Sequence, residues 1–552
     1  MKNCRIVCAG ASYEMFNTPA PKGKQVLQVV YFGLLLSTFV SYGAHGAKIL
    51  GIFPLPGKSH FAVGSVLFKE LANRGHQVTV LSPFPETSPI ANYTSIDTRA
   101  TLIFTVSGTM NSLDFSKLNY FQILILVFAL GNDLADKFLQ QKAVQDLIHS
   151  NDQEFDLIIA EAFNHDCVLG FAHKFKAPIV QVVTFGGTSW MADWVGNPTP
   201  YSYVPDPFQD FSDRMYFWER LLNTLGVTLQ KLTRFFYFLP KQQALLEKYF
   251  SDYTPLPSIS ELDSSTSLLL LNHHFSISYP KPLMPNVVQV GGMHVKPAKK
   301  LPADLQKFID EAPDGVIYFS MGSTLYSSDM SESKLKQFTE AFSKQKQRIL
   351  WKWETDSLPG KPQNVKTSKW FPQSDILAHP NVRLFITHGG LLSTQETIHW
   401  GVPVVGIPMM GDQKLNMQRA VSAGYGILLD YANVTAESLD WALKEVLENS
   451  RYRENAQRLS RIYRDQPLTP LEQAVYWTEY VIRHKGAPHL RSAALDLAWY
   501  QYFLLDVIAV LALAVGSVVM IIFFTFRAIL RKIRGGGRRQ EDEKILKKKK
   551  RS

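Results

Sequence analysis

"VRLFITHGGLLSTQE", Val382 to Glu396, decides how this chain folds. An apolar run of strand length delivers the chain to His388, Gly389 and Gly390, and helical text begins between Leu391 and Ser393. A strand, a glycine turn and a helix in that order form a junction suited to anions. The first helical turn leaves N–H groups unpaired and carries partial positive charge, and glycine lets an anion approach the main chain. A diphosphate fits there. Ser393 adds a hydroxyl, and Glu396, one turn on, would repel phosphate but can accept hydrogen bonds from ribose hydroxyls.

The same alternation continues on both sides. "GVIYFSMGS", "QRILWKW" and "VPVVGIP" read as further strands, each followed by loop and helical text. Upstream, "AKILGIFPLPGKSHFAVGSVLFKELANRGHQVTVLSP" is a strand, a Pro/Gly loop, a helix with Val63, Val66, Leu67 and Leu71 on one face, and a second strand. "FDLIIAEAF" and "APIVQVV" extend that first series. Such βαβ units imply parallel sheets covered on both faces. The expected fold is therefore α/β: two doubly wound Rossmann-like domains face each other, with ligand held between the carboxyl ends of their strands. "VGGMHVKPAKKLP" reads as the linker, which gives a first domain over 47–294 and a second over 295–485. Between Met191 and Tyr253 the text turns aromatic and helical, and reads as a pocket wall, a membrane-surface helix or ordinary core helices.

The chain has 552 residues, too many for one hydrophobic core. Its net charge of +10 would suggest a nucleic-acid partner, but the segment from Arg527 to Ser552 holds twelve Lys/Arg against three Asp/Glu. The remainder is nearly neutral, so no nucleic-acid face is expected. Before that tail, Val507 to Phe526 is a twenty-residue uncharged run long enough to span a bilayer. The Lys/Arg density beyond it marks the cytoplasmic side, after a juxtamembrane stretch over 486–506. At the other end Lys22 and Lys24 precede an apolar run, with Ala44 and Gly46 at cleavage spacing, so residues 1–46 read as a secretory signal peptide. Removing it takes Cys4 and Cys8 and leaves Cys167 without a disulfide partner. Sequons at Asn92 and Asn433 would face a glycosylating lumen, and Lys549 and Lys550 sit where a dilysine retrieval signal would. These features together predict an endoplasmic-reticulum, single-pass type I protein with a lumenal body. The sequence leaves the oligomeric state open, a homo-oligomer included.

The fifty-odd residues "WFPQSDILAHPNVRLFITHGGLLSTQETIHWGVPVVGIPMMGDQKLNMQRAVSAGYG" resemble the signature of the UDP-glycosyltransferases, through a Pro-Gln, a His-Pro, the Thr-His-Gly-Gly, a Gly-Val-Pro and an Asp-Gln followed by Asn. The resemblance runs from about Ala47 to the tail, and is to the animal membrane-bound branch, insect members in particular. It implies the GT-B type of fold, a UDP-sugar as co-substrate with no cofactor, and a small lipophilic acceptor. It also implies site residues: Trp370 and Gln373 at the uracil and ribose end, Ser323, His388, Gly390 and Ser393 at the diphosphate, Glu396 at the ribose, and Asp412 and Gln413 at the hydroxyls of the donated sugar. No His/Asp/Glu cluster with metal-ligand spacing and no Asp-x-Asp pair is visible, so no metal is expected.

Transfer to an acceptor hydroxyl needs a general base, and histidine is the side chain best poised near neutrality. His60 lies in the loop after the first strand, and the resemblance implies the base at this match. It needs a carboxylate to orient it. Glu161 and Asp166 both follow the strand "FDLIIA"; vertebrate members carry Asp at the position aligning with Glu161, and Asp166 is preferred as the shorter carboxylate, while His165 reads as incidental. The expected reaction is an inverting displacement that passes a hexosyl group, glucose before glucuronate, to the acceptor. An NAD-dependent oxidoreductase would need Gly-x-Gly-x-x-Gly where "FPLPGKSHFAVG" stands. The non-enzymatic alternative is a membrane-bound lipid- or glycan-binding protein.

Overall fold

The computed structural model describes residues 46–104 and 118–551. Almost all of the expected signal peptide, with Cys4 and Cys8, lies outside the described residues. Two parallel sheets form two lobes. The first contains β1 (Lys48–Ile52), β2 (Gln77–Ser82), β3 (Tyr93–Asp97), β4 (Leu157–Glu161), β5 (Ile179–Val183), β6 (Thr266–Leu271) and β7 (Val287–Gln289). They are ordered β3-β2-β1-β4-β5-β6-β7. The second contains β8 (Val316–Ser320), β9 (Arg348–Lys352), β10 (Val365–Ser368), β11 (Val382–Thr387), β12 (Val404–Gly406) and β13 (Gly426–Leu428), in the order β10-β9-β8-β11-β12-β13. Each order reverses direction at one point, between β1 and β4 in the first lobe and between β8 and β11 in the second. A crevice opens at such a point beyond the carboxyl ends of the strands.

The sequence explains why these strands are central. β4, β5 and β8 are buried at every position, which suits continuous apolar runs covered on both faces. Helix Lys58–Asn73 turns Phe61, Leu67, Phe68 and Leu71 onto the first sheet, and Phe319, Phe338, Phe342 and Trp351 form an aromatic core in the second lobe.

One boundary differs from the sequence reading. Helix Pro470–Arg483, placed by sequence at the end of the second domain, buries Ala474, Val475 and Val481 in the first lobe's core with Ile49, Val63 and Leu67. Apolar spacing along a helix marks a buried face but carries no information about which sheet covers it. The chain then stays with the first lobe: a Cβ added at Gly486 would lie 3.3 Å from Pro178, and one at Gly196 would lie 2.8 Å from Ser492.

The aromatic segment forms helix Phe217–Thr233, running on into Arg234–Phe238. Its outward face is the apolar one: Trp218 is 69% exposed, Phe236 72%, and Leu221, Leu222, Leu225, Leu232 and Phe235 share that exposure. Its buried face holds Asn223, Gln230 and Arg234. This is the reverse of a water-facing amphipathic helix. Helix Leu505–Lys549 contains the expected span, is long and apolar enough to cross a membrane, and has none of its apolar window buried.

Candidate active site

At the first switch point, the loop after β1 ends at Gly57, and the first turn of helix Lys58–Asn73 carries His60. β4 ends at Glu161, one strand away in the same sheet. The two meet: His60 Nδ1 lies 2.7 Å from Glu161 Oε1. The carboxylate is wholly buried while the imidazole is 24% exposed, so the ring has one side in protein and one toward the cleft. A second group, Thr184 Oγ1 just past β5, also lies 2.7 Å from His60 Nδ1. Nδ1 is thus occupied, and Nε2 is the nitrogen left for chemistry. Phe163 meets the imidazole edge-on at 5.0 Å, and the rings continue through Phe185 to Phe208, an aromatic wall leading away from His60.

Asp166, the preferred partner on sequence grounds, is not beside His60. Its Oδ2 accepts from Arg234 Nη2, which also donates to Asp263 Oδ2 at 2.7 Å, all three residues being buried. A buried guanidinium demands anionic partners, and Asp166, at the start of a separate helical turn, is the residue that supplies one. Burial, with Asp166 next to it, drives the Asp263 carboxyl upward, against the pull of Arg234. His165 lies under the pair, its Nε2 4.0 Å from Glu161 Oε2, and burial pushes it down into the neutral form.

At the second switch point the loops after β8 and β11 converge. His388 is wedged between glycines: a Cβ at Gly322 would lie 2.5 Å from its Cε1, and one at Gly390 2.5 Å from its Nε2. Both positions therefore require glycine. Burial, with the Lys352 charge, pulls His388 down to about 4, so the ring is neutral. Gly390 caps helix Leu391–Trp400 without any side-chain hydrogen bond to its first turn. Ser323 stands in the facing loop after β8. Gln373 Nε2 bridges Ser393 Oγ at 2.9 Å and Glu396 Oε2 at 2.6 Å. Burial raises Glu396 to about 7 despite the Gln373 bond. The Trp370 side chain is 64% exposed, an aromatic plane open to a ligand. Gln413 uses its Oε1 to accept from Met409 and Met410 N–H groups, which fixes the loop and leaves its amide nitrogen. Burial raises Asp412, while Asn416 and, from across the cleft, His60 oppose that rise.

The structure thus brings together His60 and Glu161 in one lobe and Gln373, Ser393 and Glu396 in the other, with Asp412 within electrostatic reach of His60. It separates Asp166 from them. Thr184 was missed in the sequence, although its place at a strand's carboxyl end beside the switch point was the available signal. Among the described residues no cluster of His, Cys, Asp and Glu could hold a metal.

Comparison with known proteins bears on the family and the fold. A family model described as UDP-glucoronosyl and UDP-glucosyl transferase matches residues 47–540. The chain is 40% identical to UDP-glycosyltransferase UGT5 of Dactylopius coccus, over 91% of this chain and 96% of that one. It is 34% identical to UDP-glucuronosyltransferase 2C1 of Oryctolagus cuniculus, over 84% and 94%. Among solved structures, the calicheamicin glycosyltransferase CalG4 matches with a TM-score of 0.54 at 18% identity, covering 79% of this chain and 99% of that one, a likeness of fold that is of the GT-B kind. A family model spanning both lobes and relatives similar along nearly their whole length leave one conclusion: the chain belongs to the UDP-glucuronosyl and UDP-glucosyl transferase family.

Proposed function

We propose that this UDP-glycosyltransferase passes glucose from UDP-glucose to a hydroxyl of a small lipophilic acceptor, with His60 as general base. The observation that carries the reading is the His60–Glu161 pair at one switch point, with Asp412 of the other lobe near enough for its carboxyl to feel the His60 charge. Glu161 orients the ring through Nδ1 and stabilises the imidazolium. Nε2 takes the acceptor's proton as its oxygen attacks the anomeric carbon, and the bond to UDP breaks on the opposite side. First-turn N–H groups beyond Gly390, Ser393, Ser323 and the neutral His388 offer donors to the departing diphosphate. Trp370 stacks the uracil, Gln373 and Glu396 take the ribose end, and Asp412 and Gln413 take hydroxyls of the sugar. The wall of Phe163, Phe185 and Phe208 suits an apolar acceptor. Glucose is favoured by the 37% identity to UDP-glucosyltransferase 2 of Dactylopius coccus. The UDP-sugar is a co-substrate, and the reading needs no further cofactor.

In this reading helix Leu505–Lys549 anchors the enzyme in the endoplasmic-reticulum membrane with the body lumenal, and the outward face from Trp218 to Phe236 lies against the bilayer. Microsomes from cells making the full chain, given radiolabelled UDP-glucose or UDP-glucuronate with a panel of phenols, provide the test. Phenol glucosides are expected, with activity rising once detergent opens the vesicles. A predominance of glucuronides would overturn the donor, and no product from either sugar would overturn the reading.

Glu396 makes donor binding depend on pH. Ribose hydroxyls donate better to a carboxylate than to a carboxylic acid, and Glu396 ionises at about 7. KM for UDP-glucose should fall as pH rises, up to roughly tenfold from about pH 6 to about pH 8 as the ionised fraction grows. Glu396→Gln should flatten that dependence. A wild-type KM that is constant across this range would remove the ribose role.

A further inference from the structure

Asn272, just beyond β6, and Gln395, on helix Leu391–Trp400, are fully buried amides from opposite lobes. Gln395 Nε2 donates to Asn272 Oδ1 at 2.8 Å. Asn272 Nδ2 in turn donates to the Thr184 carbonyl at 2.9 Å, and its own N–H continues the ladder to Val183 O at 2.9 Å. Thr184 then meets His60 Nδ1 through its hydroxyl. An unbroken run of hydrogen bonds therefore joins the helix carrying Ser393 and Glu396 to the imidazole of His60.

A buried amide pair contributes little stability beyond an apolar pair of the same shape, but each half is costly once the other is lost. What it does supply is direction: it allows one relative placement of the two groups. We infer that Gln395, Asn272 and Thr184 are positioning residues that fix the His60 ring and register it against the nucleotide helix. This rests on the reading of His60 as the base. Thr184 shares the Nδ1 proton with Glu161 and keeps Nε2 unprotonated and aimed at the cleft. Asn272 holds the Thr184 main chain, and Gln395 holds Asn272. Seating of a nucleotide on one lobe and alignment of the base on the other are then a single geometric event.

The test uses full-length enzyme in microsomes. Thr184→Val should lower kcat about tenfold, as a small misplacement of a catalytic group does, with KM for UDP-glucose within about twofold; Thr184→Ser should restore kcat. Asn272→Leu and Gln395→Met should each lose both stability and kcat. Their combination removes both side-chain amides and leaves only the Thr184 carbonyl without its donor, so thermal stability should recover in part while kcat stays about tenfold low. Adding Thr184→Val to that pair should then cost little more, since all three act through one contact. Recovery of kcat together with stability in the double variant, or losses that simply multiply, would reduce these residues to packing and overturn the relay. Full activity in His60→Ala would instead remove the base itself, which distinguishes the two failures.

Discussion

Replacing His60 with alanine abolishes transfer, by about a thousandfold or more, while UDP binds nearly as before. The size follows from what a positioned base supplies, roughly two to four orders of magnitude in rate. The selectivity follows from geometry: His60 belongs to the first lobe, where its bonds are to Glu161 and Thr184, and the groups assigned to the nucleotide are all in the second. Removing the imidazole leaves Glu161 buried without its main partner, so a modest loss of stability should accompany the change. Initial rates with UDP-glucose and a phenol, set beside calorimetric titration with UDP, separate the two effects. Equal loss of rate and of UDP affinity would indicate a histidine that only holds the cleft together.

Arg234→Leu has the second largest expected effect, on stability instead of chemistry. The guanidinium neutralises Asp166 and Asp263 inside the first lobe and lies over the rings of Trp194 and Phe238. Leucine would preserve some of that packing but leave two buried carboxylates facing each other. Breaking a buried pair from one side costs about 3–5 kcal/mol, and the raised Asp263 shows the direction in which the strain is relieved, by protonation. The urea midpoint of the variant should fall accordingly, and should recover in part as the pH is lowered toward the range in which a carboxyl can take up a proton. The fraction still folded should keep a wild-type KM for UDP-glucose. A variant of unchanged stability but lost turnover would return Asp166 to the catalytic role that its position denies it.

Particular residues show how far the sequence reaches. The text around Gly389 and Gly390 and the loop leading to His60 were legible because both depend on local rules, a strand feeding a glycine turn or a Pro/Gly loop that opens a helix, although His60 itself lies in the first turn of that helix and not in the loop. The carboxylate beside His60 was not. Glu161 and Asp166 are five positions apart, and what distinguishes them is Arg234, which folding brings to Asp166 from a distant helix. The polar relay was hidden for the same reason: Thr184, Asn272 and Gln395 come from three distant stretches, and none has a pattern of its own. Of the strands, β7, β12 and β13 are only three residues long, and of these only β12 lay inside a longer apolar phrase.

Because helix Pro470–Arg483 returns to the first lobe, the polypeptide crosses between the lobes twice. Two straps confine opening of the cleft to a swing about the line that joins them, as a door on paired pins moves, and forbid the free splaying that a single tether would allow. They also decide which half the last helix follows: helix Leu505–Lys549 comes after a segment packed on the lobe that carries His60. Under the proposed function, with that helix seated in a bilayer, a greasy acceptor dissolved in lipid would meet that half first and the sugar nucleotide would arrive from the water beyond.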